Sequence, residues 1–155
     1  MVGDGPYPTR KYPSKGVLFL PGQPSIVFVT VCTEKRTPWL AQAACHTALG
    51  EAWETADAWL VGRYVVMPDH IHLFASPGMK DATIERWVQF WKSLVSRNLA
   101  GRAKGWQKGC WHHRLRRGES YEAKWRYVVD NPVRAGLVQD AQEWPFQGEL
   151  QVLRW

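Results

Sequence analysis

Tyr64-Val-Val-Met-Pro-Asp-His-Ile-His-Leu-Phe74 decides the architecture of this chain. An apolar run enters a Pro68-Asp69 corner and leaves it as a second apolar run. The connection is too short for a crossover helix, so the two runs must be antiparallel neighbours. The reading is a strand over Trp59–Met67, a tight corner, and a strand over His70–Ser76. Side chains alternate faces along a strand, so His70 and His72 share one face and Ile71 takes the other. Two imidazoles on one face are half of a metal site. On their own they read equally as two satisfied polar residues on a sheet.

Working outward, Ser25-Ile-Val-Phe-Val-Thr-Val-Cys32 is β-branched and aromatic, a further strand. Leu40 to Ala58 is alanine-rich, and Leu49, Ala52, Trp53 and Ala56 fall on one helical stripe. A second stripe runs through Ile84, Trp87, Val88, Trp91, Leu94 and Val95, with Asp81 or Thr83 able to cap its start. Arg86, Gln89, Lys92, Ser93, Ser96 and Arg97 make its polar face. Strand character returns at Cys110–Leu115. A helix over Tyr121–Asn131 is expected to stop at Pro132, and Val133–Val138 forms a short apolar element. Residues 1–24, rich in Gly and Pro, read as an irregular basic arm, and residues 139–155 as a tail packed on the body. The expectation is one α+β domain over residues 1–155, an antiparallel β-sheet flanked by helices.

The 155 residues carry a net charge of +6. The charge is concentrated, for no Asp or Glu occurs between Arg86 and Gly118. Outside that tract acidic residues outnumber basic ones. A concentrated positive stretch is the footprint of a phosphate-backbone binder. Lys92, Arg97, Lys108, Arg114, Arg116 and Arg117 are its candidate DNA contacts, joined by Arg10 and Lys11 of the arm. Trp87, Trp91, Trp106 and Trp111 interleave with them and can offer faces for base stacking. Three scattered cysteines suggest a reducing compartment rather than a disulfide framework. No apolar run is long enough to span a membrane, and no signal peptide is legible, so the expected location is cytoplasmic, beside the nucleoid.

Tyr127 and Asn131 lie four apart on the expected helix, hence on one face. A phenol attacking a phosphodiester needs a neutralised phosphate and a stabilised leaving oxygen, and a divalent cation supplies both. His70, His72 and the amide oxygen of Asn131 could hold that cation beside Tyr127. A zinc site drawing on Cys110, His112 and His113 is the competing metal reading, although no structural zinc spacing is present.

His70-Ile-His72 after Met67-Pro-Asp69 resembles the HUH motif. Trp125-Arg-Tyr127-Val-Val-Asp-Asn131-Pro-Val-Arg-Ala-Gly-Leu-Val138 resembles the signature of the REP-associated tyrosine transposases, single-tyrosine HUH enzymes. The resemblance extends from about Val27 to Val138; His112 departs from it, standing where the family often has an acidic residue. It implies the HUH-nuclease (ferredoxin-like, RRM-like) architecture. It implies nicking and joining of single-stranded DNA near hairpins through a covalent 5′-phosphotyrosine, with Mg2+ or Mn2+. By position, Tyr127 is the nucleophile, and His70, His72 and Asn131 are the metal ligands. A monomer is implied in preference to a homodimer. Two other classes stay open: a hairpin-binding protein with little or no chemistry, and a hydrolytic nuclease in which Tyr127 is structural.

Overall fold

The computed structural model describes residues 25–116 and 120–154. Arg10, Lys11 and Arg117, and the arm over residues 1–24, lie outside the described residues. The chain forms β1 (Val27–Cys32), a helical turn (Glu34–Arg36), α1 (Ala43–Thr55), β2 (Trp59–Val66), β3 (His70–Pro77) and α2 (Ile84–Leu99). Then come β4 (Trp111–Arg114), α3 (Tyr121–Val129), α4 (Asn131–Arg134) and β5 (Gln147–Glu149). The strands make one sheet in the order β4-β1-β3-β2-β5, every pair antiparallel. The β1-α1-β2-β3-α2-β4 path with this order is the ferredoxin-like split βαβ arrangement that the resemblance implies, and β2 and β3 are the antiparallel neighbours that the Pro68-Asp69 corner requires.

Strand alternation sorts the core into two layers. Val27, Val29 and Val31 of β1, with Ile71, Leu73 and Ala75 of β3, face a cluster built with α1 and α2. Phe28, Thr30, His70, His72 and Phe74 therefore line the opposite face. There Phe74 joins Ile26, Val65, Met67, Leu115, Val128 and Trp144 in a second cluster under α3 and the C-terminal segment. The corner is tied down from outside the hairpin: Thr33 N donates to Asp69 O (3.0 Å) and Leu40 N to Pro68 O (3.0 Å). The histidines thus sit at the start of the central strand, with backbone partners on both sides.

The helices depart from expectation in instructive ways. Thr83 is the cap of α2, its hydroxyl accepting from Arg86 N at 3.1 Å. The tryptophans expected to offer stacking faces are mostly core: Trp87 is 2% exposed and Trp91 fully buried. Trp106 packs between Trp39 and Trp91 and donates its indole N–H to Ser96 Oγ. Trp111 is the one of the four placed on the histidine face, since it pairs with Thr30. Lys92 does not project from a polar face. It is 8% exposed. Its Nζ donates to Gln107 O (2.8 Å) and Gly109 O (2.6 Å). Burial lowers its pKa, and the neighbouring Cys110 and Cys32 act against that. Lys92 is therefore a strut that fastens the loop leading into β4. Removing it strands two carbonyls, so Lys92→Met should lower stability by about 2 kcal/mol in thermal or urea melts. DNA affinity should change less than about twofold; a large loss of binding with an unchanged melt would restore Lys92 as a DNA contact.

Pro132 does not end helical structure. The break falls two residues before Pro132, at Asp130 (φ −84, ψ 0), and a new turn starts with Asn131. Proline is tolerated in a first turn because its missing N–H has no partner there anyway. Tyr127 and Asn131 thus belong to successive helices, with Arg134 N donating back to Asp130 O at 2.9 Å. The tail adds a strand not expected from the sequence: β5 pairs with β2 through Tyr64 and Gly148.

Candidate active site

The two imidazoles lie against each other, ring centroids 4.8 Å apart and nearly perpendicular. Each has its Nδ1 engaged. His70 Nδ1 lies 2.8 Å from Asp69 Oδ1 and 3.2 Å from Arg36 Nη2; the carboxylate only accepts and the guanidinium only donates, and the shorter contact favours a proton on Nδ1. Asp69 is held in turn by Arg36, whose Nε donates to Oδ2 at 3.1 Å. Burial would raise the pKa of Asp69, but hydrogen bonds from His70 and Arg36 outweigh it and hold it at about 2. Arg36 reaches this position from a turn in which both Lys35 (φ 53) and Arg36 (φ 55) adopt the left-handed conformation. Such residues cost about 1 kcal/mol or more each, and a surrounding network must hold them.

His72 is buried. Its Nδ1 lies 2.9 Å from Thr30 Oγ1 on the neighbouring strand. With the threonine hydroxyl accepting from Nδ1–H, Nε2 is left bare. Burial first, then the charges of His70, Lys124, Arg134 and Arg36, pushes the pKa of His72 well below the ordinary imidazole range. A neutral ring with its far nitrogen bare is the state that ligates a cation. The donor set therefore suits a divalent metal. Among the described residues no three His, Cys, Asp or Glu side chains converge. The zinc alternative finds no such cluster. Cys110 is a core residue whose thiol is pushed up to about 12 by burial. His112, which is paired with Val29, points to the α1–α2 side and meets Glu85 at 2.9 Å.

The face around the histidines is completed from α3 and α4. Phe28 stacks on His72 at 5.2 Å between centroids, and Lys124 Nζ lies 5.0 Å over the Phe28 ring. Arg134 places its guanidinium 4.0 Å over the ring of Tyr127. Tyr127 itself is 45% exposed. Asn131 donates Nδ2 to Val128 O at 3.0 Å, capping the end of α3, and its amide oxygen takes no part in that bond. Lys124 and Tyr127 lie three apart on α3, and Asn131 and Arg134 three apart on α4, beyond the break at Asp130.

The other expected DNA contacts are scattered. Lys108 is exposed in the loop whose Gln107 N donates to Cys32 O, at the His70 end of the sheet. Arg114 and Arg116 are exposed at the opposite end, where Arg114 pairs with Val27. Arg97 is exposed on α2, across the sheet from the histidines. Thr30, Arg36 and Lys124 were missed from the sequence. Thr30 had a legible signal, being an isolated hydroxyl on the polar-facing register of an apolar strand.

No protein-family model matches the chain. It is 30% identical over 87 residues to the REP-associated tyrosine transposase of Escherichia coli K12, a match covering 56% of this chain and 52% of that protein. A Haemophilus influenzae protein assigned to the same group is 24% identical over 94 residues, covering 52% of this chain and 53% of its own length. The chain thus spans about half the length of the curated relatives it matches. Among solved structures, a REP-associated tyrosine transposase bound to a REP hairpin superposes with a TM-score of 0.63 at 20% identity, over 80% of this chain and 75% of that one. No helix among the described residues is long and apolar enough to cross a membrane. By sequence over half its length and by fold over four-fifths of it, the chain is similar to the REP-associated tyrosine transposases, as its two motifs imply.

Proposed function

We propose that this protein nicks and rejoins single-stranded DNA at hairpin-associated sites through a covalent 5′-phosphotyrosine. The observation that carries the reading is the placement of Lys124, from the Tyr127 helix, over the ring that stacks on His72. His72 is presented neutral on the central strand, and the helix bearing Tyr127 sets Lys124 over the ring stacked on it. His70 and His72 would hold Mg2+ or Mn2+, with Asn131 supplying the third protein donor. When bound, the cation neutralises a non-bridging phosphate oxygen and stabilises the departing one. The Tyr127 oxygen attacks phosphorus and loses its proton. The P–O3′ bond breaks, and the 3′ oxygen takes up a proton and leaves as a hydroxyl. Attack by a 3′-hydroxyl on the phosphotyrosine reverses the sequence and joins strands. A monomer acting alone is the assembly that the resemblance implies. The similarity to transposases, one of them bound to a REP hairpin, supports hairpin DNA as the partner.

The presence of only two clustered imidazoles favours a second reading, a hairpin-binding protein with little chemistry. A labelled hairpin oligonucleotide with a single-stranded flank, incubated with Mn2+ and run on a denaturing gel, separates the two. A shifted covalent species supports nicking; binding without it supports the second reading. Thr30→Val tests the supporting contact to His72. The Mn2+ concentration for half-maximal adduct should rise about ten- to a hundredfold, and an unchanged value would show that Thr30 plays no part.

A further inference from the structure

Of Lys124 and Tyr127 on α3 and Asn131 and Arg134 on α4, the nicking reading gives roles to the middle two residues and none to the outer two. The outer two are both cations, and each lies over an aromatic ring of this face. Arg134 lies with its guanidinium plane over the Tyr127 ring, 4.0 Å from the centroid. Stacking uses the face of a guanidinium and leaves its N–H edge for an anion. Among the described residues Arg134 has no carboxylate partner. Lys124 is one turn before Tyr127, with its ammonium 5.0 Å over Phe28, whose other neighbour is His72. Tyr127 therefore stands between two positive groups, one fixed by its own ring and one by the sheet.

We propose that Lys124 and Arg134 form a two-cation clamp for a single phosphodiester of single-stranded DNA, gripping it beside the Tyr127 hydroxyl and against the His72 face. The clamp rests on the nicking reading for the identity of its ligand, since the phosphate it holds is the one Tyr127 attacks. Its geometric basis is independent: Lys124 lies over Phe28, which stacks on His72, and Arg134 lies over the Tyr127 ring. Neither residue belongs to the acid-free tract that the sequence singles out. One bidentate guanidinium and one ammonium suit a tetrahedral anion presenting two non-bridging oxygens.

The test reads binding rather than turnover. Anisotropy of a labelled hairpin oligonucleotide is measured in EDTA while one methylphosphonate, which is neutral, is walked along the single-stranded flank. The wild-type protein should lose on the order of tenfold in affinity at one linkage. Lys124→Gln and Arg134→Gln should each lose part of that amount on all-phosphate DNA and show a correspondingly smaller further loss when that linkage is neutral, and the double variant should lose nothing further there. Arg134→Lys, which keeps the charge, should retain the dependence and guards against loss of fold. Variants that bind like wild type, or that lose affinity equally at every linkage, overturn the clamp. A single sensitive linkage in a protein that forms no Tyr127 adduct retires the nicking reading and leaves the clamp standing. An adduct formed without such a shared linkage retires the clamp alone.

Discussion

Tyr127→Phe should abolish the covalent protein–DNA adduct, a loss of at least about a thousandfold, because the attacking atom itself is removed. The substitution is unusually clean in this setting. Phenylalanine keeps the ring on which Arg134 rests at 4.0 Å, and the side chain is 45% exposed, so no core cavity opens. Hairpin affinity and the melting temperature should stay within error of wild type. Denaturing gels of labelled oligonucleotide with Mn2+ supply the readout. Strand cleavage that persists without an adduct would make water the nucleophile and reduce Tyr127 to a structural ring.

His72→Ala should have the next largest effect, at least a hundredfold on adduct formation at saturating Mn2+, exceeding the ten- to hundredfold range of an outer hydrogen-bond partner. His72 is buried and touches Thr30, Phe28 and His70 at once, so its removal also loosens its neighbours. A second readout separates loss of the cation from loss of fold. Mn2+ should raise the melting temperature of the wild type, since a ligand of the folded state stabilises it, and should not raise that of His72→Ala. Removing the cation from the wild type with EDTA should match the substitution in adduct yield. A variant that is still shifted by Mn2+ and still nicks would place the cation elsewhere.

Much of this was legible because it depends on local periodicity. Strand alternation alone puts His70 and His72 on one face, and the brevity of Pro68-Asp69 alone makes β2 and β3 antiparallel. The ferredoxin-like order then follows from where α1 and α2 return the chain. Lys92 shows why the remainder was not legible. Helical spacing puts it on a polar face, but which face is covered depends on the loop of Gln107–Gly109 folding back over it, a contact between segments fifteen or more residues apart. Arg36 is the same kind of case. Nothing in Glu34-Lys-Arg36 announces two left-handed residues, and the pairing with Asp69 spans 33 positions. The basic tract misled for a related reason: density of charge along the chain says nothing of which side of the sheet each residue ends on. Lys124 and Arg134 lie outside the tract, yet they are the cations that the fold turns towards His72.

The location of the histidines on β3 has a consequence for how the protein opens. β3 is bonded to β1 on one side and β2 on the other, so its amides should exchange with solvent only through global unfolding. α3 has nine residues and is fastened by ring contacts of Tyr121 and Trp125 on Phe74, and by Arg63 N donating to the Tyr121 hydroxyl at 3.0 Å. It should detach at a much lower free energy. The cation-holding half and the nucleophile-bearing half of one site are thus expected to belong to different cooperative units. Warming would then silence the protein by releasing Tyr127 well before the sheet melts, and a strand of DNA could be admitted by the same opening without disturbing the imidazoles.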